Sequence, residues 1–165
     1  MLAAGAATRY GAPKQRVLLP RVLAALDSSG VGDVLVVTGA YEVETDARVV
    51  HCDEWERGPG ASLRCGLAAL DADAAIVVLA DGPNLDPRAV DRVIDAWRGG
   101  AGEVLAATYD GRNRSHPVLL ARSAWDEIPD EGARALAVTL IPCHDLREPG
   151  DVDTPEGWSY GDGES

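Results

Sequence analysis

Asp73-Ala74-Ala75-Ile76-Val77-Val78-Leu79-Ala80-Asp81 is the stretch on which the fold of this 165-residue chain turns. From Ala74 to Ala80 the run is apolar and uncharged, and it stops at a carboxylate. Strict alternation would mark a strand with one wet face. A short continuous run of this kind marks a strand covered on both faces, as in a parallel sheet. Just downstream, Asp86-Pro87-Arg88 reads as a helix start, with aspartate as N-cap and proline at the first position. The helix is predicted to reach Trp97 and to end at Gly99 and Gly100.

Working outward, Met1 to Ala4 reads as a strand remnant, followed by the small-residue segment Gly5 to Gln15 and a helix from Pro20 to Ser28. Val34 to Thr38 and Arg48 to Cys52 read as short strands joined by Gly39 to Asp46. Gly60 to Leu70 carries Leu63, Leu67 and Leu70 on one helical face, with Ser62 in its first turn. Beyond the central helix, Val104 to Thr108 and Val118 to Leu120 are predicted strands around a polar turn containing Asp110 and Gly111. Helical patches near Ala124 and Ala133 and a strand near Val138 to Ile141 complete the pattern, and the glycine-containing tail 157–165 is expected to fray. Strands alternating with helices imply a three-layer α/β fold around a largely parallel sheet. Ligands of such sheets bind at the carboxyl ends of strands. The first loop and Asp81 both occupy such ends, so Lys14 and Asp81 are expected to meet in space.

Composition sets the outer limits. With 46% hydrophobic and 25% charged residues the chain can bury one core. Its net charge of −12 argues against nucleic acid as a bulk partner, so a phosphate ligand needs a local cationic pocket. No apolar run approaches the ~20 residues of a membrane helix. The cysteines Cys52, Cys65 and Cys143 form an odd set without a Cys-x-x-Cys pair, which supports neither a disulfide framework nor a zinc cluster. Cys65 reads as a small core residue, and a reducing cytoplasm is the expected setting.

Lys14 is the only lysine among the 15 basic residues. It closes a segment in which Gly5, Gly11 and small residues let backbone amides approach a phosphate, with Arg9 as a second cation. The segment is either such a cradle or an ordinary connection; it matches neither the Walker loop nor the dinucleotide fingerprint. Asp81, at a strand end before Gly82 and Pro83, either holds a divalent cation at a nucleotide's phosphates or starts a turn. Asp151 and Asp153 either add a second carboxylate or belong to a capping turn with Thr154 and Pro155. His116 precedes Pro117 in a polar turn, while His51 and His144 show no metal-ligand spacing. Ser62 lacks a hydrolase elbow, and Trp55 reads as either a lid or a packing residue.

Taken in order, these fragments resemble the MobA-like nucleotidyltransferase family, and within it the molybdenum cofactor cytidylyltransferase branch. Leu2, Ala3, Ala4, Gly5, Arg9, Gly11 and Lys14 match its opening L-A-A-G-x-S-x-R-x-G-x-x-K, with Ala7 in the serine slot. Trp55, Gly58, Ser62, Leu63, Gly66 and Leu67 match W-x-x-G-x-x-x-S-L-x-x-G-L. Leu79, Ala80, Asp81 and Pro83 match L-A-D-x-P. His116-Pro117-Val118, Gly132-Ala133-Arg134 and Asp151 to Pro155 match the remaining H-P-V, G-A-R and D-x-D-T-P segments.

The resemblance implies a Rossmann-like three-layer α/β/α sandwich with a mostly parallel mixed sheet, of the nucleotide-diphospho-sugar transferase kind, in a single domain over 1–156. It implies transfer of a nucleotidyl group from an NTP, CTP favoured over GTP by the L-A-A-G form, to a phosphate-bearing acceptor, chiefly molybdopterin, with release of pyrophosphate. By the same resemblance, the backbone of Leu2, Ala3, Ala4 and Gly5 holds base and sugar, with Gly11 and Ser62 near the nucleotide. Arg9 and Lys14 bind the triphosphate, Asp81 and Asp153 hold Mg²⁺, and His116 faces the acceptor. A phosphate monoester is already an anion near neutral pH, so the chemistry needs no strong base. Its difficulty is bringing two anions together, which positioning and charge neutralisation solve.

Two other readings stand beside it: a non-catalytic relative that binds the cofactor or a molybdoenzyme partner, and a transferase acting on a sugar phosphate or phospholactate. The sequence begins inside the family's first strand, and only Gln15 to Leu19 separate the lysine from the predicted helix, which is expected to shorten the nucleotide pocket.

Overall fold

The computed structural model of the chain describes residues 1–5 and 14–150, with the side chains of the first helix described from Leu18 onward. The elements are β1 (Leu2–Ala3), α1 (Lys14–Asp27), β2 (Leu35–Thr38), β3 (Arg48–His51), α2 (Pro59–Ala68), β4 (Ala74–Val77), α3 (Pro87–Arg98), β5 (Val104–Thr108), β6 (Ser115–Ala121) and β7 (Thr139–Pro142). Short 3₁₀ turns cover Trp55–Arg57, Arg122–Glu127 and Ala133–Ala135.

β1, β2 and β3 form one parallel set, and β4, β6, β5 and β7, in that order, form a mixed one. Leu2 bridges in parallel to Leu79, its N–H donating to the Val78 carbonyl at 2.9 Å and its carbonyl accepting from the Ala80 N–H at 3.0 Å. The sheet therefore reads β3-β2-β1-β4-β6-β5-β7. Among the described strands only β6 runs antiparallel to its neighbours, β4 and β5, while β7 is parallel to β5.

Helices cover both faces. On one, Leu19, Val22 and Leu26 of α1 and Val90 of α3 pack against Ala3, Val36, Val78 and Ala80. Ala89 and Val93 extend that layer over Leu105, Ala107 and Leu119. On the other, Leu63 and Leu67 of α2 pack against Ala75, Val77, Ala106, Val118 and Leu120. These alternating assignments along β4 follow from the two-residue repeat of a strand.

Several boundaries differ from expectation. α1 begins at Lys14, not Pro20, so Gln15 to Leu19 are helical and no separate segment follows the lysine. Leu18, Leu19, Val22 and Leu26 are buried at helical spacing, and that burial carries the helix through an exposed Pro20 despite its missing donor. Ala74 and Ile76 are half-buried, so β4 is less fully covered than its apolar run suggests. Asp86 caps α3 as expected, its carboxylate accepting from the Arg88 N–H at 2.9 Å.

Cys52 and Cys65 are joined by a disulfide, contrary to expectation, with Cα atoms 5.8 Å apart. The fold sets the end of β3 beside the second turn of α2, a separation within the usual disulfide range that no sequence spacing reports. Cys143 is the free, buried cysteine.

Candidate active site

The carboxyl ends of β1, β2 and β4 lie side by side, and there the chain turns away at Gly5, Gly39 and Asp81. At this rim the backbone is drawn tight. The Ala40 N–H donates to the Ala4 carbonyl at 3.1 Å. A Cβ on Gly39 would lie 2.6 Å from the Trp55 side chain and 2.7 Å from the Ala4 oxygen, so only glycine fits between them. Trp55 is thus a packing residue of the rim. Its turn hangs from β3 through the Cys52 N–H, which donates to the Thr38 carbonyl at 2.8 Å.

Asp81 follows Ala80 at the tip of the central lane, half-buried. The next residue, Gly82, sits under the segment Glu148–Gly150: a Cβ there would lie 3.1 Å from Pro149 Cβ and 3.4 Å from the Gly150 carbonyl. The Asn84 N–H donates to the Pro149 carbonyl at 3.0 Å and fastens the two pieces together. Between them and β6 opens a cavity of about 300 Å³, lined by Val78, Gly82, Ser115, His116, Glu148 and Gly150 among others. The Ser115 hydroxyl donates to Glu148 at 3.2 Å.

His116 lies inside β6, not in the preceding turn as the sequence suggested, because pairing of Ser115 with Ala107 across a bulge carries the strand through it. Burial pushes its imidazole down to about 4, against the opposing charge of Asp81, so the ring is neutral at pH 7. The Tyr109 hydroxyl donates to the His116 carbonyl at 2.9 Å and fixes the backbone there. The turn between β5 and β6 is held by Asp110, whose carboxylate accepts from the N–H groups of Arg112 and Asn113 at 2.8 Å each and is kept well below the ordinary range by them.

The structure therefore brings together Leu2 to Gly5, Asp81 and His116 at one end of the sheet. Lys14 opens α1, which leaves that same end. Ser62 is buried in the first turn of α2 and is not among the residues lining the cavity. Arg9, Gly11 and Asp153 lie outside the described residues, as do Ala7 and the tail. Among the described residues no group of three or more His, Cys, Asp or Glu stands ready to hold a metal. A larger cavity of about 640 Å³ opens at the opposite end, near Leu35, Leu70 and Ala74. Its walls are mainly apolar and include Leu2; among the described residues none of the predicted polar site residues lines it.

Sequence reasoning missed Glu148, Ser115 and the Arg57–Asp130–Arg64 cluster. Arg64 reaches Asp130 at 2.5 Å and the Ile128 carbonyl at 2.8 Å, tying α2 to the turn after the second 3₁₀ segment. A Cβ on Gly60 would overlap the Pro129 carbonyl in that same junction. Gly150 has a positive φ of 75° and packs on the Asn84 side chain, so its glycine reports a turn and not the approach to Gly82.

Residues 1–139 match the MobA-like NTP transferase domain. No curated protein matches the chain. Among solved structures, Rv0371c of Mycobacterium tuberculosis is 27% identical, with 94% of this chain and 92% of that one covered and a TM-score of 0.76. The same protein in complex with manganese superposes with 22% identity over 86% and 85% and a TM-score of 0.67. Molybdopterin-guanine dinucleotide biosynthesis protein A of Archaeoglobus fulgidus shares the fold at 17% identity, 94% and 92% coverage and a TM-score of 0.69. No helix among the described residues is long and apolar enough to cross a membrane.

Proposed function

The chain belongs to the MobA-like NTP transferase family, and from that membership we propose that it moves a CMP group, in preference to GMP, from the NTP to a phosphate-bearing acceptor, molybdopterin above all, with release of pyrophosphate. The observation that carries the reading is the seating of Pro149 and Gly150 on Gly82. It leaves Gly150 three residues from Asp153 and beside the residue that follows Asp81, and three residues span at most ~10 Å.

A magnesium ion would suit Asp81 together with Asp153, which lies outside the described residues. One or two carboxylates at the tip of a strand are the donor set Mg²⁺ accepts while keeping waters and substrate phosphates as its other ligands. Asp81, with Asp153, would hold it, and a relative of this fold has been solved with manganese. When bound, the metal supplies charge neutralisation at the transferring phosphate. The chain's own groups do the rest in this reading. Lys14 and Arg9 offset the triphosphate's charge in a protein of net charge −12. The backbone of Leu2 to Gly5 holds the nucleoside, Gly11 and Ser62 support it, and His116, neutral at pH 7, orients the acceptor. The reading keeps the cytoplasm as its compartment and a molybdoenzyme as the onward partner.

The test is pyrophosphate release across the four NTPs with molybdopterin present. Release that requires Mg²⁺ and is fastest with CTP is expected. Release with none of the NTPs, together with no Mg²⁺-dependent CTP binding by calorimetry, overturns the reading.

A further inference from the structure

We propose that the Cys52–Cys65 pair is a redox clasp on the rim of the nucleotide site, closed as the disulfide and opened by a dithiol reductant; this rests on the nucleotide reading above. The bridge encloses the segment that contains Trp55, Gly58 and Ser62. Cys52 is buried at the end of β3, with its N–H on the Thr38 carbonyl, and its own carbonyl accepts from the Trp55 N–H at 3.3 Å. Trp55 in turn lies against Gly39, which touches the Ala4 carbonyl where the chain leaves β1. A continuous line of contacts therefore runs from the bridge to the loop that follows β1. The far anchor, Cys65, is on α2, whose packing is close: a Cβ on Gly66 would lie 2.7 Å from the Val37 side chain. The bridge ties the end of β3 to α2 and so restrains the turn between them, which carries Trp55.

Cys52 is fully buried and Cys65 only half-buried, so the reductant's attack is assigned to Cys65. A dithiol attacks Cys65 as its thiolate, forming a mixed disulfide there while Cys52 leaves and takes up a proton. The reductant's second thiol then displaces Cys65. One S–S bond in the protein is replaced by two thiols, and the reductant carries away the new disulfide. Cytosolic disulfides are characteristically of this transient, sensing kind.

Full-length protein, oxidised and then reduced with dithiothreitol, is compared by amide hydrogen exchange and by calorimetry with CTP and Mg²⁺. Reduction should raise exchange over 53–62 and weaken CTP binding about fivefold or more, the lower end of typical coupling between sites. Cys65→Ala should match the reduced form under both conditions. Unchanged exchange over 53–62 overturns the clasp whatever the nucleotide does. Raised exchange with equal CTP affinity overturns its control of the site. Raised exchange with no CTP binding in either form overturns the nucleotide reading and, with it, this regulation.

Discussion

Pro149 lies over Gly82 at a distance that leaves room for a hydrogen but little for a methyl, with the Gly150 carbonyl close behind. A residue at the tip of the central strand is thereby locked to a residue 67 positions later. This is how the fold closes one wall of the cavity that Gly82, Ser115 and His116 line.

Removing either pole of the proposed site should stop the reaction without unfolding the protein. Asp81→Ala and Lys14→Ala are each expected to lower pyrophosphate release by on the order of 10² to 10³, the usual loss of one charge-stabilising group. Circular dichroism should stay as in the parent, and near-native turnover in either variant would refute the assignment.

His116 gives stability a particular pH dependence. Its imidazole is held at about 4 in the folded chain against 6.5 when exposed. Between those values the unfolded chain binds a proton that the folded chain refuses, so stability falls as pH falls through this window. Aspartates depressed by arginines, such as Asp130 and Asp86, act below their ordinary value of 3.8 and so lie outside it. Thermal melts across the window should show a shallower acid slope for His116→Gln than for the parent; equal slopes would contradict this.

The cap of α3 is open to direct measurement. Asp86→Ala removes the acceptor of the Arg88 N–H and should cost ~1 kcal/mol in urea denaturation. Asp86→Asn, which keeps an acceptor oxygen, should recover most of it.

Two glycines should behave in opposite ways. Gly60→Ala drives a methyl into the Pro129 carbonyl and is expected to cost ~2 to 3 kcal/mol, the range of overpacked positions. Gly32→Ala meets nothing within 4 Å and should be close to neutral. Denaturation midpoints should fall for Gly60→Ala and not for Gly32→Ala; equal midpoints would contradict the tight α2 junction.

Much of this architecture was legible in the residues. The run Ala74 to Ala80, the Asp86-Pro87 start and the double glycine after Trp97 fixed the centre of the fold, because each is a local signal read by local chemistry. Strand direction was not local. Val118 to Leu120 looks the same in either orientation, and only its partners make β6 antiparallel. α1 escaped for a different reason: Pro20 is a breaker by propensity, and tertiary burial of Leu18, Leu19 and Val22 outweighs it. The Cys52–Cys65 bridge and the Glu148 wall depend on distant segments meeting, which spacing along a chain does not encode. Asp81 stood out in the sequence because it ends an apolar run, whereas Ser62 drew its role from resemblance alone; neither is among the residues lining the cavity.

The two halves of the sheet meet along β1 and β4, stitched by the paired bonds of Leu2 to Val78 and Ala80. So narrow a seam makes the molecule resemble two plates sharing a spine. The seam is held from one side by a shared core, in which Leu19, Val22 and Val90 touch residues of both plates, so Ala3 leaves the sheet over a crease that the helices keep shut.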